Sequence, residues 1–257
     1  MAKVYAVISG KGGVGKTTTT INLGTCFNQL GEDVIIVDAN LTTPNIGIHL
    51  GAPIVPITVN HVLNGQAKPE DAIYEHESGT KIMPASLSLK ESERIDYRKF
   101  SDLTRKLRKI TNHVIIDGAA GLGEEAQAAM SAADEIIVVT NPEMAAVTDA
   151  LKTIKLAEEM NRPVVGVIIT RCTGSRVEMS LANIKEMLEV QIIGVIPEDI
   201  SVKESQVMKN SVIYTHPRSS ASKSYYNASK RILGKSDSEP METLGFVGRL
   251  LRGMGLR

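Results

Sequence analysis

The chain of 257 residues is the size of one generous α/β domain or two small ones. Lys+Arg and Asp+Glu number 29 each, so the formal net charge is zero, which argues against a surface built to hold a nucleic-acid backbone. Hydrophobic residues at 42% and charged residues at 23% describe a packed chain, and no Trp with three Phe and six Tyr excludes an aromatic base-stacking platform as the main function. The two cysteines, Cys26 and Cys172, have no Cys or His partner at metal-ligand spacing, which argues against a disulfide framework, a zinc site or an iron–sulfur carrier. No apolar run approaches the roughly 18 residues of a membrane span. Residues 1–5 run straight into a strand pattern without a signal peptide, so a cytoplasmic protein is expected.

In chain order, residues 4–9 read as a strand, followed by a glycine-rich loop and a helix over 17–30. A strand at 34–38 precedes the irregular stretch 51–79, to which no chemistry is assigned. Then come a strand at 81–84, a helix at 96–110, a strand at 114–117 and a helix at 124–132. A strand at 136–140, a helix at 144–160, a strand at 164–170, a helix at 178–188 and a strand at 192–196 continue the alternation, and a helical pattern at 219–233 follows. Most of the strands are nearly continuous in Val and Ile, as strands covered on both faces must be. The predicted fold is α/β, a doubly wound, mostly parallel sheet of about seven to eight strands with helices on both faces. Residues 1–233 are read as one domain, 234–243 as a flexible linker, its stretch 234–240 lacking any large apolar residue, and 244–257 as a tail.

Directly after the first strand stand Gly10, Lys11, Gly12, Gly13, Val14, Gly15, Lys16, Thr17 and Thr18, which match G-x-x-x-x-G-K-[ST] between strand and helix. Glycines let backbone N–H groups curl around phosphate oxygens, and the helix N-terminus adds a favourable dipole. Lys16 supplies a point charge for the β- and γ-phosphates, and the Thr17 hydroxyl is a ligand for Mg²⁺. The pattern therefore predicts ATP and Mg²⁺ as cofactors.

The second lysine of the loop, Lys11, resembles that of the deviant Walker A motif of the MinD/ParA family of ATPases. The resemblance covers the whole chain and leans towards MinD. It implies that Lys11 reaches the nucleotide of a second subunit, so that ATP joins a homodimer. Asp117-Gly-Ala-Ala-Gly121-Leu122 is similar to the family's second switch, where the acid holds Mg²⁺ through water and senses the γ-phosphate. Thr140-Asn-Pro-Glu143 and Ile196-Pro-Glu-Asp199 resemble MinD segments, and Pro197, Glu198 and Arg171 are assigned by that resemblance to the adenine region. Thr170 departs from the Asn-Arg pattern of relatives.

A further departure lies after the second strand, where Asp38-Ala39-Asn40 stands in place of the family's Asp-x-Asp. An amide orients a water by hydrogen bonding but takes no proton. Slow hydrolysis is expected, unless Asp38 or a water network compensates. Lys11, Lys16, Asp38, Asn40 and Asp117 are thus the candidate catalytic set, and Thr17 and Asp117 the candidate metal set.

At helical spacing, Leu244, Val247, Leu251 and Met254 share one side of the tail with Phe246 and Leu250 nearby, while Arg249, Arg252 and Arg257 supply charge and no acid interrupts them. That pattern suits an amphipathic segment at an anionic membrane surface, as does the resemblance to the family's basic Gly-Phe tail. A helix docked on the domain or a structureless end is the plain alternative. The chain is expected to be cytoplasmic and peripheral at the inner face of the cell membrane, to bind a protein partner the sequence does not identify, and not to bind nucleic acid. A DNA- or cargo-positioning ATPase of the ParA type, or an ATP-binding membrane scaffold with little hydrolysis, are the rival readings. The five histidines, 49, 61, 76, 113 and 216, have no carboxylate or Cys at useful spacing and are read as structural or exposed; the basic run 105–109 is read as a solvated helix face.

Overall fold

The computed structural model describes residues 2–92 and 95–235 and joins the apolar runs into one sheet. Its strands are β1 (Lys3–Ser9), β2 (Val34–Asp38), β3 (Tyr74–Glu75), β4 (Lys81–Met83), β5 (His113–Ala120), β6 (Glu135–Thr140), β7 (Val164–Cys172) and β8 (Ile192–Pro197). They lie in the order β3-β4-β2-β5-β1-β6-β7-β8, parallel throughout except for the short β3 on β4. The expected doubly wound sheet is present. The sequence pattern predicts every strand except β3, whose two residues are too few to show a period.

The helices are α1 (Lys16–Gln29), α2 (Ile46–His49), α3 (Val59–Leu63), α4 (Leu89–Ser92), α5 (Lys99–Leu107), α6 (Glu124–Ala132), α7 (Met144–Glu159), α8 (Leu181–Leu188), α9 (Ile200–Val207), α10 (Val212–Thr215) and α11 (Ser220–Ile232). The long ones coincide with the sequence pattern. α2, α3, α4 and α10 are not predicted because four or five residues are too few to reveal a 3.6-residue period, and α9 is not because its Ile200, Val202 and Val207 do not fall on one face.

Alternation within the strands feeds both faces. Val4, Ala6 and Ile8 of β1 pack with Leu103, Leu107, Met130 and Ile154 from α5, α6 and α7. Tyr5 and Val7 of the same strand pack on the other face with Leu23 and Phe27 of α1 and Tyr225 of α11. Each fully buried side chain of this kind contributes about 1.5–3 kcal/mol. At the domain's end, Lys235 donates from Nζ to the Leu30 carbonyl at 2.8 Å and pairs with Glu32 at 2.9 Å. Gly234 and Lys235, read from sequence as the start of the linker, therefore belong to the folded domain. The rest of the linker and the tail at 244–257, with Leu244, Phe246, Val247, Arg249, Leu250, Leu251 and Arg252, lie outside the described residues.

The strand order reverses around β1, which sits between β5 and β6. A doubly wound sheet opens a crevice at such a point, beyond the carboxyl ends of the strands. The glycine loop leaves β1 at that end.

One buried titratable cluster supports the α1 face. His113 stacks on Tyr5 with centroids 6.1 Å apart and meets the Phe27 ring edge-on at 5.4 Å. Burial holds its pKa below the usual histidine value, although Glu32, 3.2 Å away, pulls the other way. His76 is lowered by burial as well. The native state thus binds fewer protons than the unfolded chain below about pH 6.5. This contribution to stability is complete above that pH and is lost as pH falls through the native values. Urea unfolding followed from pH 7.5 downwards should show the decline beginning near pH 6.5, and His113→Gln should make it shallower.

Candidate functional site

The glycine loop turns twice through left-handed backbone, at Gly13 (φ 80°) and Gly15 (φ 86°), conformations that side-chain-bearing residues avoid. Gly15 is also the N-cap of α1, so the first free N–H groups of that helix face the loop's interior. Thr170, at the end of β7, braces the loop by donating its hydroxyl to the Val14 carbonyl at 2.5 Å. Gly10 has a different task from its neighbours. A Cβ there would run into the backbone carbonyl of Asp149 on α7, so glycine is needed for close packing.

Behind the loop lies a buried charge cluster. Asp117 is fully buried within β5, three residues before the strand ends. Its Oδ1 accepts from Lys16 Nζ at 3.1 Å and from the Thr20 hydroxyl at 2.9 Å, and its Oδ2 accepts from the Thr17 hydroxyl at 2.6 Å. Thr20 was not singled out from the sequence. Its position one helical turn after Lys16 is the signal that would have found it. Asp38, equally buried, is the cross-strand neighbour of Asp117 in the β2–β5 register. Burial, and after it the Asp117 carboxylate, push Asp38 above the ordinary carboxylate range, while three backbone N–H groups oppose the shift. Those donors are Asn40 to Oδ1 at 3.1 Å and Asn45 and Ile46 to Oδ2 at 2.9 and 3.0 Å. Asp38 therefore clamps the loop from 40 to 46 onto the sheet.

Two cavities open on this loop. The first, of about 350 Å³, is lined by Ser9, Gly12, Gly13, Gly15, Lys16, Thr17 and Thr18 from the loop and α1, by Asn40, Thr43, Asn45 and His49 from the segment after β2, and by Ala120. The second, of about 290 Å³, shares Gly13, Gly15 and Thr18 with it and continues to Thr170, Arg171, Ile196, Pro197, Glu198, Val202 and Gln206. One cavity offers N–H groups, an ammonium and hydroxyls. The other offers the apolar side chains Ile196, Pro197 and Val202 among polar and charged ones. An anionic group with an attached flat, partly apolar body fits that pair. Gln206 donates to the Thr18 hydroxyl at 3.0 Å and so joins α9 to the shared wall.

Of the residues proposed from sequence, the loop glycines other than Gly10, together with Lys16, Thr17, Thr18 and Asn40, meet at the first cavity, and Arg171, Pro197 and Glu198 at the second. Asp38, Asp117, Gly10, Lys11 and Val14 are not on either wall. Glu198 accepts from Arg171 at 3.1 Å and pairs with Lys203 at 3.1 Å; burial disfavours its charge, yet these two cations hold it below the usual range. Lys11 points out of its own chain's cavity and meets Glu143 at 3.5 Å, both side chains being exposed. Asn40 has its Oδ1 committed to the Thr43 hydroxyl (3.0 Å) and N–H (3.3 Å). His49, set aside from sequence, lines the first cavity.

Among the described residues no group of three or more His, Cys, Asp and Glu side chains could hold a metal ion. Mg²⁺ does not need one, because it keeps several waters and takes one or two protein oxygens plus phosphates. The Thr17 hydroxyl at the cavity edge, backed by Asp117, could serve as such a pair.

Comparison with known proteins places this geometry in a context. A family model described as ParA, NUBPL iron-transfer P-loop NTPase, matches residues 1–233. An ATP-binding protein of Methanocaldococcus jannaschii, described as uncharacterized, is 32% identical over 256 residues, covering 99% of this chain and 97% of its own. The septum site-determining protein MinD of Thermotoga maritima is 34% identical over 246 residues, covering 91% and 89%. Among solved structures, MinD of Pyrococcus horikoshii in complex with Mg-ADP superposes with a TM-score of 0.86 at 31% identity, covering 90% of this chain and 96% of that one.

The buried cluster makes a stability claim independent of any ligand. Lys16 is its single ammonium, and removing it leaves two buried carboxylates facing each other. Breaking a buried pair in this way costs about 3–5 kcal/mol. Lys16→Met should lower the urea midpoint accordingly in nucleotide-free protein, and Lys16→Met with Asp117→Asn should recover part of the loss.

Proposed function

This chain belongs to the ParA family of P-loop NTPases, and on that footing we propose that it is an ATP-dependent dimerising switch of the MinD kind. It binds Mg-ATP, pairs with a second copy, attaches reversibly to the membrane through residues 244–257 and recruits a protein partner, and ATP hydrolysis resets it. The observation that carries the nucleotide half of this reading is the pair of cavities sharing Gly13, Gly15 and Thr18, one walled by the phosphate loop and the other combining Ile196, Pro197 and Val202 with polar and charged groups. The Mg-ADP complex of the Pyrococcus horikoshii relative supports the same choice of ligand.

In this reading the loop N–H groups and Lys16 hold the phosphates, and Thr17 with Asp117, the latter through water, holds Mg²⁺. The metal would neutralise charge that develops on the phosphate oxygens. Arg171, Pro197 and Glu198 border the base. Lys16 and Thr17 are both bonded to Asp117. Phosphate and metal compete for those two groups, so binding loosens Asp117 and frees the segment from 117 to 122 to respond as a switch.

Support for dimerisation comes from Lys11. Its ammonium lies outside its own cavity and is retained only by an exposed 3.5 Å contact with Glu143, an interaction worth about 0–1 kcal/mol. It is therefore cheaply released to a second chain. The tail rests on sequence: Leu244, Phe246, Val247, Leu250 and Leu251 beside Arg249 and Arg252. Each arginine near anionic lipid contributes about 1 kcal/mol, and two tails on one dimer raise retention by about 10²-fold or more through avidity. The protein would be cytoplasmic and peripheral at the inner face of the membrane. The zero net charge of the chain disfavours DNA as the surface on which it is positioned. Asn40 favours one second reading, an ATP-binding membrane scaffold with little turnover.

The test is co-sedimentation with anionic liposomes in Mg-ATP and in Mg-ADP. Pelleting in ATP alone is expected. Lys11→Ala should keep ADP affinity within about twofold and lose both ATP-dependent dimer, seen by light scattering, and pelleting; Phe246→Asp should lose pelleting and keep the dimer. Pelleting in both nucleotides would uncouple the tail from ATP, and pelleting in neither would remove the membrane from the reading.

A further inference from the structure

The first cavity has two titratable side chains among its twelve lining residues, Lys16 and His49. Neither buried carboxylate is among the residues that line that cavity. Asp38 faces three backbone N–H groups behind it, and Asp117 faces the side chains of α1 and, in the proposed complex, the water shell of Mg²⁺. Asn40 stands where an acid is expected, and its oxygen is turned to Thr43. The wall therefore lacks a carboxylate base and carries an imidazole instead.

That imidazole is held in a defined way. Nδ1 lies 2.9 Å from the Asn45 carbonyl, which can only accept, so Nδ1 carries the proton and the lone pair of the neutral ring is on Nε2. The helix that presents it is anchored at both ends. Asp38 accepts from the N–H groups of Asn45 and Ile46, and Ile46 and Leu50 are buried against Ile21, Ile36 and Ile82. Gly47 packs against the Ala52 carbonyl, leaving no space for a Cβ. A four-residue helix pinned so closely holds its side chain at a fixed place, as proton transfer requires.

We propose that His49 is the proton acceptor for ATP hydrolysis in this chain, taking over at the cavity wall the part that Asn40 cannot play. The proposal rests on the reading of the cavity as an ATPase site. Nε2 accepts a hydrogen bond from the attacking water. As the water oxygen bonds to the γ-phosphorus, the bond from that phosphorus to the β–γ bridging oxygen breaks with its electron pair left on ADP. The water proton passes to Nε2 and leaves to solvent after phosphate release. Asn40 remains as a group that shapes the loop through Thr43.

The experiment is single-turnover hydrolysis of Mg-ATP by the full chain, with Mg-ADP affinity measured in parallel, for wild type, His49→Ala and His49→Gln. Gln keeps a donor for the Asn45 carbonyl and cannot act as a base near neutral pH, so it tests the chemistry even if Ala disturbs packing. A rate loss of about 10²-fold at unchanged Mg-ADP affinity is expected in both. Asn40→Asp in the His49→Gln background should then restore at least about tenfold, because a carboxylate returns to the same wall. Loss without restoration would assign His49 to structure alone and overturn the proposal. Wild-type hydrolysis that both variants retain would overturn it while leaving the ATPase reading in place. Absence of hydrolysis in the wild type would remove the ATPase reading itself, and this inference with it.

Discussion

Two carboxylates are buried side by side on adjacent parallel strands, with one ammonium between the sheet and the phosphate loop. Nearly every feature of the site follows from that constraint. Asp117 and Asp38 share a register position across β5 and β2, so neither can be charged at low cost without donors. The fold meets the demand with two different kinds of donor. Asp117 draws on side chains of α1 and so ties the loop and its helix to the sheet. Asp38 draws on backbone N–H groups and so ties down the segment leading into α2. Each acid thereby fixes one wall of the same cavity.

The two arrangements differ in how readily they can change. Side-chain donors such as Lys16 and Thr17 can turn towards a phosphate or a metal, and the Asp117 side of the cavity is accordingly the side that can respond to a ligand. Backbone donors cannot leave without unwinding the segment that carries them. The Asp38 side is thus a fixed wall, and Asn40 and His49 are presented from it at set positions. A site with one yielding wall and one rigid wall suits a switch better than a site with two of either kind.

The phosphate loop was legible in the sequence because its glycines, lysine and threonine are dictated one by one by backbone conformation and charge, with strand and helix on either side. The sheet was legible for a similar reason: strands buried on both faces must be nearly continuous in apolar residues, and most of them are, in Val and Ile above all. The remainder was not, and the causes are particular. On the base-side wall, Val202 and Gln206 of α9 join Arg171 and Pro197, the two read by resemblance, only when β7, β8 and α9 pack. Asp38 is read from sequence as catalytic, because the three N–H groups that claim it lie two to eight residues further on in an aperiodic stretch. His49 sits on a helix of four residues, too short to announce which way its side chains face.

The histidine also shows how a departure from pattern is best weighed. Asn40 by itself suggests a weakened ATPase, since an amide contributes orientation without proton transfer. Whether that weakness is real depends on every other proton-accepting group on the same wall, and sequence spacing cannot list them. The fold can: no carboxylate is among the residues lining that cavity, and the imidazole of His49, its Nδ1 turned to the Asn45 carbonyl, is. The loss of an acid at one position and the presence of a histidine nine residues later are then two halves of one arrangement, joined by the clamp that Asp38 places on the chain between them.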